Sequence, residues 1–378
     1  GSQTTISCIR GELAMLNGRL AGRGVAAGVR VPVAPSLSRY PALAEKGWWG
    51  QGQTRLALAA VSSLAFRRAQ RFAMAPTRSA ATSVANEGMG AAAAAATLSS
   101  AGLEVELVAC LGDNYCPLIH HAASGVTLVV DTPEAAPISA ALKRRGWVPT
   151  HILNTHHHGD HVGGNLELKE QFPDVKIVGP HDQAYEYPGP YPKKGLEHEN
   201  IPGRDLAVKE GDKISCGVLR AEVLEVGGHT AGHIAYFFPE VPMALTGDAL
   251  FTLGCGRVFT GDFARMQASM SKLRKLPDDT VIFCAHEYTK SNLDFALKVE
   301  PSNAALLARA TQVSKLRSEG LATVPTILGY EKATNPFLRW DVPEVQEAAG
   351  GLKEAASVFT AIRRWKDTGN PPEPAARL

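Results

Sequence analysis

Short runs of apolar residues separated by turn residues begin after Gly102, and this pattern is typical of strands. Helical patterns lie between the runs, so the sequence predicts an α/β fold with two sheets or one large mixed sheet. The predicted strands are Leu103–Ala109, Val126–Asp131, His151–Asn154, Val175–Val178, Leu219–Val226, Ile234–Phe238, Ala244–Thr246 and Thr280–Cys284.

Apolar residues with helical spacing dominate the chain after Asn303, where the strand patterns fade. Pro301 discourages continuation of the helical pattern that ends at Val299. The sequence therefore predicts a helical lobe at the C-terminal end. The predicted helices are Ala135–Arg145, Asn165–Gln171, Ala264–Leu276, Ser291–Val299, Ala304–Ser318, Pro343–Ala349 and Leu352–Lys366.

The first hundred residues differ in composition from the rest of the 378-residue chain. They contain eleven basic and three acidic residues, an excess of +8, and because the whole chain carries +2, residues 101–378 carry −6. An arginine-rich, acid-poor composition is typical of an organellar transit peptide. We predict that residues 1–100 form a disordered transit peptide for the mitochondrion, with the plastid as the alternative. A disordered extension without a targeting role is the other interpretation.

Charge and cysteine usage exclude several classes of protein. The basic excess lies outside the region with strand patterns, which argues against a nucleic-acid-binding domain. The six cysteines include no CxxC pair, so neither a disulfide framework nor a thiolate zinc site is predicted. The longest apolar stretches, such as Leu56–Phe66, are shorter than the roughly 20 residues that cross a bilayer, so we expect no membrane span.

The segment THHHGDH at 155–161 directly follows a predicted strand and concentrates potential metal ligands. Two-residue alternation places His156 and His158 on one side, and the turn at the glycine brings Asp160 and His161 towards a second centre. One segment can therefore supply ligands to two metals. Imidazole and carboxylate ligands without thiolate suit zinc, iron or manganese in a hydrolytic site.

Three further candidate ligands each follow the end of a predicted strand: His229 in GGHTAGH, Asp248 in LTGD and His286 in AHE. A site assembled at one rim of a sheet requires this repeated placement. A histidine-rich metal-scavenging tract is the alternative interpretation of residues 156–161, but such tracts do not alternate with Gly and Asp behind a buried strand. We expect His233 to support a ligand rather than to bind metal.

These motifs resemble the metallo-β-lactamase superfamily, whose fold is an αββα sandwich with metals at one edge. Other segments resemble one family within it, glyoxalase II or hydroxyacylglutathione hydrolase, from about Leu103 to Asp367. In chain order these segments are Gly112–Tyr115, Gly254–Arg257, Ala285–Thr289, Asn292-Leu293 with Phe295-Ala296, Glu300–Asn303, Asn335–Arg339 and Arg363–Asp367.

The resemblance implies hydrolysis of S-D-lactoylglutathione to D-lactate and glutathione, the second step of methylglyoxal detoxification. A hydroxide bridging two divalent metals, with zinc expected before iron or manganese, would attack the thioester carbonyl. Asp160 and Asp248 would be the catalytic carboxylates. The implied ligands are His156, His158 and His229 for one metal, Asp160, His161 and His286 for the other, and Asp248 as the bridge.

Glutathione carries two carboxylates, so the resemblance also implies cations around it. Arg257 follows the Gly-Cys-Gly segment, and Arg363 and Lys366 share one face of the last predicted helix. Tyr288 would hydrogen-bond the peptide, whereas Phe259 stands where some family members have Tyr. An ordinary solvated helical face is the alternative for Arg363 and Lys366.

The predicted organisation has an extension over 1–100, a metallo-β-lactamase-like catalytic domain over 101–290 and a helical substrate-binding domain over 291–378. We expect a monomer whose partner is a small glutathione thioester, with no nucleic acid or membrane partner. A sulfur dioxygenase with one iron is the nearest rival. A nuclease is disfavoured by the acidic charge of the catalytic region, and an inactive scaffold by the complete ligand set. The segment Pro188–Gly203 has no assigned role.

Overall fold

The computed structural model of the protein describes residues 89–188 and 195–373. Most of the predicted transit peptide, residues 1–88, therefore lies outside the described residues. Part of the unassigned Pro188–Gly203 segment and the last five residues, 374–378, also lie outside them. Within the described ranges, no helix is both long and apolar enough to span a membrane.

The described strands and helices follow one another along the chain in the α/β order that the sequence predicts. The strands are β1 (Leu103–Cys110), β2 (Asn114–His121), β3 (Val126–Val130), β4 (His151–Leu153), β5 (Lys176–Pro180), β6 (Gln183–Tyr187), β7 (Gly195–Glu199), β8 (Leu206–Val208), β9 (Lys213–Cys216), β10 (Leu219–Glu225), β11 (Ile234–Phe238), β12 (Met243–Gly247), β13 (Leu250–Phe251), β14 (Gly254–Cys255), β15 (Val281–Cys284) and β16 (Thr326–Ile327). The helices are α1 (Met89–Ser100), α2 (Ala135–Arg145), α3 (Gly159–Val162), α4 (Asn165–Gln171), α5 (Phe263–Arg274), α6 (Thr289–Val299), α7 (Ala304–Ser318), α8 (Leu328–Thr334), α9 (Pro343–Ala348) and α10 (Ala355–Thr368).

Two six-stranded mixed sheets form the frame of the fold. The first has the order β1-β2-β3-β4-β5-β8, in which β3, β4, β5 and β8 are parallel. The second has the order β16-β15-β12-β11-β10-β9, in which only β12 and β15 pair in parallel. The predicted α/β class with two sheets is confirmed. The hairpins β6–β7 and β13–β14 form two additional small sheets.

Apolar side chains on both faces of the central strands produce three layers of core, which is the αββα arrangement. In β3, Leu128 belongs to the core between the two sheets, and Val129 belongs to the core beneath helix α2. Phe237 of β11 packs with Met266 of α5 on the outer face of the second sheet. Strands buried on both faces have continuous apolar sequences, and for this reason their positions could be predicted.

Helix α1 is a difference from the prediction, because it covers the alanine-rich tract that was assigned to the extension. Ala94 and Leu98 are buried in the core between the sheets, and the helix contacts the edge strands β1 and β16. The folded part therefore begins before the predicted boundary at residue 100. Alanine has the highest helix propensity, but a tract of alanine shows no amphipathic period and so resembles low complexity.

The C-terminal lobe is helical as predicted, but it is also joined to the second sheet. Helix α6 spans the predicted boundary at residue 290, and β16 pairs with β15 as an edge strand. Helix α7 has the predicted bounds because the side chain of Asn303 accepts a hydrogen bond from the Leu306 amide at its first turn. Helix α10 begins later than predicted because Glu354 caps it in the same way.

Candidate metal centre and adjoining cleft

The seven predicted metal ligands lie on loops at the ends of strands. Residues 156–161 follow β4, and the other three ligands follow β10, β12 and β15. Since β12 and β15 are parallel and β10 runs in the same direction, the carboxyl ends of these three strands meet at one edge of the second sheet. The structure brings together all seven side chains: His156, His158, Asp160, His161, His229, Asp248 and His286.

The first group consists of His156, His158 and His229, which present ring nitrogens to one another. The Nδ1 atom of His158 lies 3.0 Å from Nε2 of His156 and 3.1 Å from Nε2 of His229. Burial, followed by the charges of neighbouring histidines, lowers the pKa of His156 far below its usual range and that of His158 to about 3. Three unprotonated imidazoles directed at one point are suitable ligands for a divalent metal.

The second group consists of Asp160, His161 and His286. The Oδ2 atom of Asp160 lies 3.6 Å from Nε2 of His161 and 3.4 Å from Nε2 of His286. Burial would lower the pKa of His286, but the charge of Asp248 and the close approach of the Asp160 and Asp248 carboxylates raise it to about 10. A metal at this group must therefore displace protons from its imidazoles.

Asp248 lies between the two groups and contacts both. Its Oδ2 atom is 3.4 Å from Nε2 of His229, and its Oδ1 atom is 3.3 Å from Nε2 of His286 and 3.4 Å from Nε2 of His161. Burial would raise the pKa of Asp248, but the charges of His161 and His286 hold it well below the usual range. An ionised carboxylate in this position can bridge two cations.

Two buried atoms test whether this set of side chains fits metal ions. Nε2 of His161 and Oδ1 of Asp248 are inaccessible to solvent and have no hydrogen-bond partner among the described residues. Buried polar atoms without partners are costly unless an ion or water satisfies them. Cations at the two groups would satisfy both atoms, so the residues fit a dinuclear divalent-metal site.

Asp131, which no sequence pattern assigned to the site, orients ligands of both groups. Its carboxylate accepts hydrogen bonds from Nδ1 of His161 at 2.9 Å and from the amide and hydroxyl of Thr155 at 2.8 and 2.9 Å. The Thr155 hydroxyl in turn accepts from Nδ1 of His156 at 3.1 Å. These bonds fix both rings with Nε2 facing the site, as supporting residues do for metal-bound histidines.

Asp113 and His233 are further supports; the sequence patterns assigned Asp113 no role at the metals, whereas His233 is expected from the sequence to support a ligand. Asp113 accepts a hydrogen bond from Nδ1 of His286 at 2.8 Å. Nε2 of His233 accepts from the Asp248 amide at 3.1 Å, so His233 holds the backbone of the bridging residue. The available signal was weak: Asp113 follows the end of β1, and Asp131 ends the apolar run of β3.

A cleft of about 840 Å³ adjoins the metal ligands. It extends from the loops that carry these ligands to helices α6 and α10, which form its wall. The ring of Phe259 lies 5.0 Å from that of His229, and Tyr288 stacks on His286 with ring centroids 4.6 Å apart. All five predicted substrate-binding side chains line the cleft: Arg257, Phe259, Tyr288, Arg363 and Lys366.

The two cations of α10 share a face as predicted, but they are not on a solvated helical surface. Arg363 is buried and donates hydrogen bonds to the Cys255 carbonyl at 3.0 Å and to Asp367 at 2.8 Å. Lys366 contacts Oδ1 of Asn292. Burial and then the charge of Arg363 lower the pKa of Lys366 to about 7. Helical spacing predicted the common face but not what packs against it.

Two protein-family models match consecutive parts of the chain. The model of the metallo-beta-lactamase superfamily matches residues 118–286, and the model of the hydroxyacylglutathione hydrolase C-terminus matches residues 287–369. The first match ends at residue 286 and the second begins at residue 287, close to the domain boundary that the sequence predicts after residue 290. Among solved structures, that of ETHE1 from Myxococcus xanthus has a TM-score of 0.47 at 20% identity and covers 71% of this chain and 92% of its own.

Curated relatives identify the family more narrowly. A hydroxyacylglutathione hydrolase from Rhodopseudomonas palustris (strain BisA53) is 50% identical over 266 residues, which are 70% of this chain and 98% of the relative. One from Methylococcus capsulatus is 47% identical over 267 residues, with the same coverage of 70% and 98%. The chain therefore belongs to the hydroxyacylglutathione hydrolase family of the metallo-β-lactamase superfamily.

Proposed function

We propose that this protein is a thioesterase that hydrolyses S-D-lactoylglutathione and related 2-hydroxyacylglutathiones to a 2-hydroxy acid and glutathione. The observation that carries the proposal is the position of the cleft. It joins a dinuclear set of His and Asp ligands at one end to cationic side chains of α10 at the other. Membership of the hydroxyacylglutathione hydrolase family supports the same reaction.

Two divalent ions bound here would lower the pKa of a water between them and polarise the thioester carbonyl. His156, His158 and His229 would hold one ion, and Asp248 would contact both. Asp160, His161 and His286 would hold the other. The imidazoles of the first group are already neutral in the free protein, so this group needs no proton loss before it binds an ion.

The cleft wall would bind the peptide part of the substrate. Lys366 and Arg257 supply positive charge near the end of α10, where they can attract the carboxylates of glutathione. Tyr288, which is partly exposed beside His286, can hydrogen-bond the peptide. Arg363 is already bonded to Cys255 and Asp367, so we assign it mainly to building this wall.

Three finer parts of the proposal are open to direct measurement. The donor set of imidazoles and carboxylates suits zinc, with iron or manganese as alternatives. We also propose that the protein is a monomer.

The composition of residues 1–100 supports import into the mitochondrion, with the plastid as the alternative. A fusion of these residues to a fluorescent reporter tests this proposal, since a diffuse signal would contradict import.

The test of the function is thioester hydrolysis and elemental analysis on the same purified sample. We expect turnover of S-D-lactoylglutathione with release of free thiol, and two divalent ions per chain. The control is glutathione persulfide with a recording of oxygen uptake. Oxygen consumption with one iron per chain and no thiol release would contradict the proposal and favour a sulfur dioxygenase.

A further inference from the structure

Strand β7 of the β6–β7 hairpin lies within Pro188–Gly203, the segment to which the sequence assigned no role, and the last residue of this strand is a buried carboxylate. Glu199 ends β7, and its side chain is almost completely buried. Burying an ionised carboxylate is costly unless hydrogen bonds compensate it. The partners of Glu199 therefore indicate what the hairpin does.

Glu199 binds the loop that carries the metal ligand His229. Oε1 accepts a hydrogen bond from the Ala231 amide at 2.9 Å, and Oε2 accepts one from the Gly232 amide at 2.5 Å. A side chain at position 232 would crowd the carboxylate, because a Cβ atom there would lie 2.8 Å from Oε2 of Glu199. Two consecutive amides of the ligand loop thus bind one carboxylate.

The same carboxylate also faces the other segment that supplies the first group. Oε2 of Glu199 lies 3.8 Å from Nδ1 of His157, the residue between His156 and His158. The Tyr187 hydroxyl, from the paired strand β6, donates to Oε1 of Glu199 and holds the carboxylate from the hairpin side. Glu199 therefore lies between the two chain segments that bear the first group of ligands.

The hairpin also contacts the loop on the substrate side of the cleft. The Tyr185 hydroxyl donates to the Thr260 carbonyl at 3.2 Å, and Pro188 lies close against Gly261. Thr260 in turn donates to the Gly228 carbonyl at 2.8 Å. The hairpin is thus attached to the His229 loop both directly and through the loop that carries Phe259.

We propose that Glu199 is a positioning residue for the first metal group and that the β6–β7 hairpin is the arm that presents it. This inference rests on the proposed two-metal function and specifies which ion depends on the hairpin. The two imidazoles of the second group are oriented by Asp113 and Asp131, and neither aspartate belongs to the hairpin. Asp131 also reaches His156 of the first group through Thr155, but no hairpin residue contacts a ligand of the second group in the hydrogen bonds of the described residues.

The test is a metal titration of the full-length protein after its metal has been removed, with Zn²⁺ in competition with a chromophoric chelator. Glu199→Gln keeps the shape but presents an amide NH₂ to one of the two backbone amides. We expect binding of the ion at the first group to weaken about 10- to 100-fold, which is typical for loss of a residue that orients a metal ligand. Binding at the second group should change little. Glu186→Gln, an exposed change on the same hairpin, is the matched control and should match the wild type.

A double-mutant cycle separates positioning from general destabilisation. His229→Ala removes a ligand of the first group, so Glu199→Gln should have no further effect on metal affinity in that background. Gly232→Ala, which crowds the carboxylate, should weaken the same ion as Glu199→Gln, and Glu199→Asp should recover part of the affinity.

Equal metal affinities of Glu199→Gln and the wild type would overturn the inference. An equal loss of both ions in Glu199→Gln would also overturn it, since this would indicate a general structural role. The number of ions that the wild type binds tests the proposed function. The ratio of the metal affinities of Glu199→Gln and the wild type tests the inference. Failure of one can therefore be distinguished from failure of the other.

Discussion

The metal ligands and the cleft wall beside them are built differently. The ligands are mostly buried, and each imidazole of the second group is fixed through Nδ1 by an aspartate. The wall contains the half-buried Lys366, the partly exposed Tyr288 and the exposed Arg257, carried by α10 and by loops. This difference indicates that the chemistry depends on rigid positioning and that substrate affinity depends on charge. Changes at the metals should therefore affect kcat, and changes at the wall should affect KM.

The largest effect is expected from Asp248→Asn, because this carboxylate contacts both groups. A neutral amide binds cations more weakly than a carboxylate, and loss of the stabilisation that the cations would give to a developing oxyanion typically costs about 10²–10³ in kcat. We expect kcat to fall at least a hundredfold and the number of ions per chain to decrease. Steady-state kinetics with elemental analysis checks both, and a normal kcat with two bound ions would contradict the bridging role.

Asp113→Ala should have the next largest effect, and it should weaken metal binding at the second group alone. Loss of the hydrogen bond to Nδ1 of His286 should weaken one metal-binding step about 10- to 100-fold. Asp174→Ala, which changes another exposed aspartate, is the matched control. The comparison between the two groups would fail if Asp113→Ala weakened binding at the first group as well.

Lys366 should make the binding of glutathione at the cleft wall dependent on pH. Its pKa of about 7 means that the amine is charged below that pH and neutral above it, so binding of glutathione as a product inhibitor should weaken as the pH rises from 6 to 9. Lys366→Met should weaken inhibition about tenfold at pH 6 and remove this part of the pH dependence. Inhibition constants over the pH range check this. The same pH profile in Lys366→Met and the wild type would exclude Lys366 as its source.

Phe259→Tyr should produce a small gain in substrate affinity at the cleft wall. A hydroxyl at this position adds a hydrogen-bonding group beside the first metal group, and one hydrogen bond contributes about 0.5–1.5 kcal/mol, or about two- to tenfold in KM. We expect a lower KM with an unchanged kcat. A change confined to kcat would place this residue with the chemistry instead.

Removal of residues 1–88 should have the smallest effect on catalysis, with kcat and KM unchanged. A chain that begins near Leu103 also lacks α1, and should be less stable because Ala94 and Leu98 are lost from the core. Leu98→Ala alone should lower the free energy of unfolding by about 2–5 kcal/mol. Denaturant unfolding measures these differences. Equal free energies of unfolding for the chain without residues 1–88, the chain that begins near Leu103 and the Leu98→Ala variant would show that α1 does not contribute to the core.

The sequence was sufficient to predict the α/β class and the seven residues that converge, because each of those residues follows the end of an apolar strand. Apart from His233, it was not sufficient to predict the residues that support the ligands. Asp131 reaches His161 across thirty positions, and Glu199 reaches the His229 loop from a hairpin with no apolar pattern of its own. Strand β2 was missed because Pro117 interrupts it. Contacts of this kind depend on tertiary packing, which local periodicity does not record.

The most direct test of the separation between chemistry and binding compares two substrates in wild type and Lys366→Met. One is S-D-lactoylglutathione, and the other is a lactoyl thioester of a simple thiol without carboxylates. We expect Lys366→Met to lower kcat/KM about tenfold or more for the glutathione thioester, through KM, and to leave the simple thioester unaffected. An equal loss with both substrates, or no loss with either, would contradict the account.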